Sequence, residues 1–145
     1  MHCAAIAAWE LMEKTLARLI LAVVAGWLTN AILTGFTEVL LWTSMRAPGG
    51  KLPGKYYIID LICQCCFTVA GGYLCSVIAR PPRRAAMFGM MVLGLLIGGL
   101  SLPSSWAREP HWYRIALLTV WVPCIWVGFA LRSQRSIVNP SLLAK

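Results

Sequence analysis

Charge is scarce in this sequence, and acids are scarcer than bases. Only 12% of the 145 residues are Asp, Glu, Lys or Arg, and 5 acids stand against 13 Lys and Arg. So little polar surface cannot cover a soluble globule, and a mean hydropathy of +0.72 points instead to a chain inserted in a membrane. Histidine is nearly missing as well, with His2 and His111 alone, on opposite sides of the topology read below. No histidine pair can therefore ligate haem. The sequence also has no His-Glu-x-x-His, no Cys-x-x-Cys-His and no glycine-rich phosphate loop ending in Lys-Ser or Lys-Thr. These absences predict a protein that is not an enzyme, with no metal site and no cofactor.

What the chain does have is four long apolar blocks. No charged residue occurs from Leu61 to Ala79 or from Ala85 to Ala107, so each block covers the roughly 20 residues needed to cross a hydrocarbon core of about 30 Å. Between them lies Arg80-Pro81-Pro82-Arg83-Arg84. Proline cannot continue the preceding helix, and each arginine costs about 2.5 kcal/mol or more at a bilayer centre, so this turn belongs in water or headgroups. The stretch from Tyr56 to Leu102 reads as a transmembrane helical hairpin around which the rest is arranged.

The whole chain reads as an all-α, polytopic integral membrane protein of four transmembrane helices at 15–43, 56–79, 84–102 and 110–132. Residues 1–14, with Trp9, Leu11 and Met12 among Glu10, Glu13 and Lys14, form an N-terminal interfacial segment rather than a cleaved signal peptide. Residues 133–145 form a polar C-terminal tail. Pro123 falls near the middle of the fourth helix and is expected to kink it.

A net charge of +8 raises the question of nucleic acid, but the basic residues sit singly or in threes at the ends of apolar blocks. That placement anchors helices to anionic lipid; no nucleic-acid partner is expected. With the N-terminus cytoplasmic, that side holds Lys14, Arg18, Arg80, Arg83, Arg84, Arg132, Arg135 and Lys145, against Arg46, Lys51, Lys55, Arg108 and Arg114 opposite. The bias places both termini of a multi-pass membrane protein in the cytoplasm.

Glu38 lies 20 residues beyond Arg18, and Asp60 lies 20 residues before Arg80. At ~1.5 Å per residue each is about 30 Å from its arginine, so the two acids are expected at one level, at the outer boundary. Glu109, His111 and Arg114 enter the fourth helix at the same boundary. Glu38, Asp60, Arg114 and His111 thus make a candidate outer polar layer. It is either a shallow cation or proton site, or a docking surface, or simply a set of headgroup-level ion pairs to Arg46 and Arg114; the structural reading is the expected one.

Small residues mark the expected helix packing. Gly71, Gly72 and Ser76 on the second helix, and Gly94 and Gly98 on the third, are read as the two sides of a close crossing of those helices. The cysteines of Cys63-Gln64-Cys65-Cys66 are read as small apolar packing residues, and Cys124 is counted as deeper than Cys66, so neither disulfide nor cluster is expected. Trp9, Trp42, Trp106 and Trp112 read as interfacial belts; Trp27, Trp121 and Trp126 lie deeper and read as lipid-facing or packing positions.

The run Gly71-Gly72-Tyr73-Leu74, Ile78-Ala79-Arg80, the Pro110-x-Trp112-Tyr113 entry to the fourth helix, and Pro123 five residues before Gly128 resemble a widespread group of small bacterial four-helix membrane proteins. The resemblance covers the second to fourth helices. It implies the helix count and a bacterial inner membrane, and it implies no activity. Loops too short to form a domain, together with the small-residue faces, lead to the expectation of a non-catalytic accessory or structural subunit of a larger membrane complex. Its partners are then the lipid bilayer and other membrane subunits or a second copy. The alternative is a small homodimeric membrane transporter, on the scale of the small multidrug exporters, which the chain resembles in size only.

Overall fold

The computed structural model describes the backbone of residues 2–45, 52–79, 83–105 and 109–138, with side chains described over 9–45, 52–79, 84–103 and 109–134. Every described element is a helix: α1 (His2–Met45), α2 (Gly54–Ala79), α3 (Arg83–Ser105) and α4 (His111–Val138). All four are long and apolar enough to cross a membrane. The loop from Arg46 to Lys51, the turn residues Arg80 to Pro82, Trp106 and Arg108, and the tail from Asn139 to Lys145 lie outside the described residues.

Prolines start two of the helices. The Pro53 carbonyl accepts from Tyr56 N at 2.9 Å, and the Pro110 carbonyl accepts from Tyr113 N at 3.1 Å. Each proline stands just before the first helical residue, where its missing N–H is no loss. Pro103 lies inside α3, and that helix continues to Ser105 rather than stopping at 102. Pro123 lies within α4, whose helical assignment is unbroken.

The N-terminal segment is not a separate element. α1 runs for 44 residues without a break, about 66 Å at 1.5 Å per residue and roughly twice a hydrocarbon core. The residues from Trp9 to Arg18 are all exposed, and among them Lys14 pairs with Glu10 one turn back at 3.9 Å. Good helix formers fill this stretch, so nothing in it stops the helix before the apolar block begins.

α2 is the central helix. It packs extensively on α1 and on α4, and only lightly on α3, its neighbour in sequence. The expected crossing of the second and third helices is therefore replaced by other partners. A Cβ on Gly71 would lie 2.6 Å from the Gly26 carbonyl of α1, and one on Gly72 would lie 3.0 Å from the Ile125 carbonyl of α4. Adjacent residues on a helix point about 100° apart, so the Gly-Gly pair serves two neighbours at once. Gly94 instead sits beneath the indole of Trp121, and a Cβ on Gly98 would meet Leu118 at 3.0 Å. Ser76 is buried and donates to the Tyr73 carbonyl of its own helix at 2.8 Å.

Two cores result, one at each end. Ala22, Cys75, Ala79, Ala86, Met90 and Ile125 belong to the first, near the α2–α3 turn. Tyr56, Tyr57 and Tyr113 form the second, where α2 and α4 begin, backed by Leu41, Leu61 and Leu117. Between them α1 and α2 meet backbone to backbone at Gly26 and Gly71. Gly26→Val or Gly71→Val should lower stability by about 1–3 kcal/mol, as overpacking does, whereas Gly35→Val, where an added Cβ meets nothing within 4 Å, should be neutral. Thermal unfolding of the detergent-solubilised protein, followed by circular dichroism, checks both; equal melting of all three variants would refute the crossing.

Candidate functional site: a polar ladder and the cavity beside it

From the Gly26–Gly71 crossing, α1 and α2 run antiparallel with polar side chains at every fourth residue. Asn30, Thr34 and Glu38 follow one another on α1, and Asp60, Gln64 and Thr68 on α2. Residues four apart share a helix face, so each set is one stripe. The stripes meet: Thr68 Oγ1 donates to Asn30 Oδ1 at 3.3 Å, and Thr34 Oγ1 donates to Gln64 Oε1 at 2.8 Å. The same register carries Glu38 to Asp60, and the two are within electrostatic range of each other.

Asp60 is 1% exposed. Its Oδ2 accepts the hydroxyl hydrogen of Tyr113 from α4, and its Oδ1 has no hydrogen-bond partner among the described residues. Tyr113 is itself held by ring contacts, with Tyr57 at a centroid distance of 5.2 Å and Trp112 at 6.0 Å. Tyr57 in turn meets Tyr56 edge to face at 5.2 Å. The aromatic core thus fixes the hydroxyl that reaches the buried carboxyl.

On the far side of the ladder the light packing of α3 leaves a cavity of about 530 Å³. The α1 stripe from Trp27 through Asn30, Thr34 and Glu38 to Trp42 forms one wall, and Tyr56, Tyr57, Gln64 and Thr68 of α2 form the next. Gly94, Gly98 and Ser101 line it from α3, and Tyr113, Arg114 and Trp121 from α4. The wall on α1 runs through 16 residues, Trp27 to Trp42, about 22 Å of helix. Glu38 is exposed at its rim. Arg114 is ion-paired with Glu109 at 2.6 Å. The Trp121 indole, lying over Gly94, keeps a buried Nε1 with no partner among the described residues.

The candidate layer is thereby regrouped. Glu38, Asp60 and Arg114 are brought together, each within electrostatic range of the others, while His111 is exposed and outside the cavity wall. Asp60 is buried behind that wall rather than lying in an open boundary layer, because Tyr113 and the aromatic core cover it. Arg114 pairs with Glu109, its neighbour in sequence, and leaves both other acids without an ion pair among the described residues. Trp27 and Trp121 turn into the cavity, whereas Trp126 is exposed. Cys124 meets Cys65 across the α2–α4 contact, with Cys66 nearby; counting depth along separate helices had missed the register between them. Among the described residues there is no cluster of three metal-ligating side chains.

Asn30, Thr34, Gln64 and Thr68 carry no charge and so do not stand out by the count that finds Glu38 and Asp60. Their signal is periodicity: a polar residue recurs at each fourth position, on α2 within a run otherwise apolar and on α1 with Thr29 and Thr37 beside the stripe. The chain matches no family model, no curated protein and no solved structure. The site must therefore be read from its own chemistry.

Tyr113→Phe removes the one hydrogen-bond donor to Asp60 among the described residues and should cost about 1–3 kcal/mol, the usual penalty for a buried polar group left unpaired. Replacing both partners, Asp60→Leu with Tyr113→Phe, should cost no more than the single change, because the orphaned group is then gone. Unfolding of Tyr113→Phe, of Asp60→Leu alone and of the double variant in detergent checks the coupling, and simple additivity would show that the pair does not interact.

Proposed function

We propose that this chain is a polytopic inner-membrane protein that is not an enzyme and that holds a small solute in the cavity between its helices, as a small transporter does. The observation that carries this reading is the cavity itself. Its volume lies within the ~300–1,000 Å³ typical of small-molecule sites, and its wall combines several aromatic rings with amide and hydroxyl groups on two rigid helices. Polar groups facing a cavity within apolar helices are costly unless water or a ligand meets them. The ladder gives every one of its uncharged side chains a partner on the neighbouring helix and still presents them to the cavity.

A second reading keeps the chain as a non-catalytic accessory subunit. It is favoured by the exposed first part of α1, where Trp9, Leu11, Met12 and Leu16 are all more than half exposed and no other described helix covers them. A partner subunit is the natural cover. Purification in mild detergent separates the readings: a stoichiometric set of other chains supports the subunit, and a chain that purifies alone or with its own copy supports the transporter.

Single cysteines introduced into a cysteine-free background test the cavity and the orientation. Thr34→Cys, on the cavity wall, should react with a water-soluble thiol reagent, and Ile32→Cys, 68% exposed as Ile on the outer face of α1, should not once the protein is in lipid. Equal inertness of the two would remove the cavity reading. In intact cells an impermeant reagent should label Gly50→Cys and spare Ser133→Cys, as both termini in the cytoplasm require; the reverse pattern would invert the topology.

A further inference from the structure

We propose that the cavity selects a lipophilic organic cation: a protonated amine, quaternary ammonium or phosphonium centre carried on an apolar or aromatic body. This rests on the solute-binding reading above and adds the chemical class.

The charge inventory supplies the sign. Glu38 stands at the rim with no ion pair among the described residues, and Asp60 lies one layer behind the wall with Oδ1 unpartnered. Among the described residues the wall holds one base, Arg114, and it is already held by Glu109 at 2.6 Å. Among the described residues three carboxyl groups therefore face one guanidinium, and the unbalanced pair, Glu38 and Asp60, sits at one level where the α1 and α2 stripes meet. An anion entering here meets Glu38 and Asp60 and finds the arginine taken. A cation meets the opposite arrangement, in surroundings where water screens little.

The rings supply the body of the ligand. Trp27, Trp121 and Trp42 are spread along the height of the cavity, and Tyr56, Tyr57 and Tyr113 close the end near Glu38. Aromatic faces attract a cation and also accept flat apolar groups, and the combination of rings with a carboxylate is the usual means of holding a poorly hydrated ammonium. A small hydrated metal ion is not matched: the lining holds too few oxygen donors close together, and no group of three metal-ligating side chains occurs among the described residues.

Tetraphenylphosphonium and tetraphenylborate give the test, because they share shape and apolar surface and differ in sign. Binding of each to the full-length protein in detergent is measured by titration calorimetry, with Ala31→Phe as a variant whose cavity wall is filled and whose melting confirms that it folds. The expected result is saturable phosphonium binding that Ala31→Phe abolishes, that Glu38→Gln weakens at least tenfold and Glu38→Asp largely keeps, with no saturable binding of the borate. Equal binding of both ions, unchanged in Glu38→Gln, would overturn the cation assignment and leave a solute cavity without choice of charge. Preference for the borate, or phosphonium binding that survives in Ala31→Phe, would overturn it as well. Reactivity of Thr34→Cys judges the cavity separately, so failure of the ligand class and failure of the cavity are read from different experiments.

Discussion

Gly26 and Gly71 bring α1 and α2 so close that the missing Cβ of each is replaced by the other's backbone, at 2.8 and 2.6 Å from the facing carbonyls. The rest of the arrangement depends on that contact. It sets the antiparallel register of the two helices, and only in that register do Asn30 meet Thr68, Thr34 meet Gln64 and Glu38 face Asp60. A shift of one residue would rotate each stripe by about 100° and leave amides and hydroxyls facing apolar surroundings without partners. Backbone contact and polar rungs therefore support the same register from two sides. In hydrocarbon, where apolar side chains gain nothing by leaving the solvent, small residues and interhelical hydrogen bonds are the forces available.

α2 uses its remaining small face for α4. Gly72 lies against Ile125, and Gly128 approaches the backbone of α2 near Val69 and Tyr73. With α1 and α4 both drawn to α2, the short connection after Ala79 cannot give α3 a full share of the same surface. α3 then fills the space beside α1 and α4, held at its start by Ala86, Met90 and Met91 in the small-residue core. Towards its end the packing relies on Gly94 under Trp121 and on Gly98 against Leu118. The cavity is what remains between a helix set at a distance and two helices set in contact.

The charges follow the packing. Arg114 and Glu109 neutralise each other at the start of α4 with partly buried side chains. The Tyr113 hydroxyl is directed to Asp60 by a chain of ring contacts through Tyr57. An acid that is 1% exposed and has one hydrogen bond among the described residues is an unusual element of a helical bundle, because removing a carboxylate from water costs several kcal/mol unless its surroundings compensate. It lies beside the cavity and opposite a second acid, Glu38.

By itself the sequence determined the number of helices and their approximate ends. Runs such as Leu61 to Ala79 without a charge, and loop signals such as the prolines around Arg80, depend on length and local chemistry alone. It also placed Glu38 and Asp60 at one level, since counting 20 residues from an arginine needs only the rise of a helix. It did not determine which helices touch. Gly71, Gly72, Gly94 and Gly98 were legible as packing residues, but their partners depend on which face of each helix meets which neighbour, and a glycine carries no mark of that. The continuity of α1 through residues 1–14 was hidden because its charges resembled those of an interface segment, whereas helix continuity depends on the absence of a breaker. The site was half visible. Its acids could be counted, but the pairing of Asp60 with Tyr113, the capture of Arg114 by Glu109 and the turning of Trp27 and Trp121 into one cavity arise from contacts between residues as much as 94 positions apart. Such contacts exist only once the register of α1 on α2 and the position of α3 are set by the packing of the whole bundle.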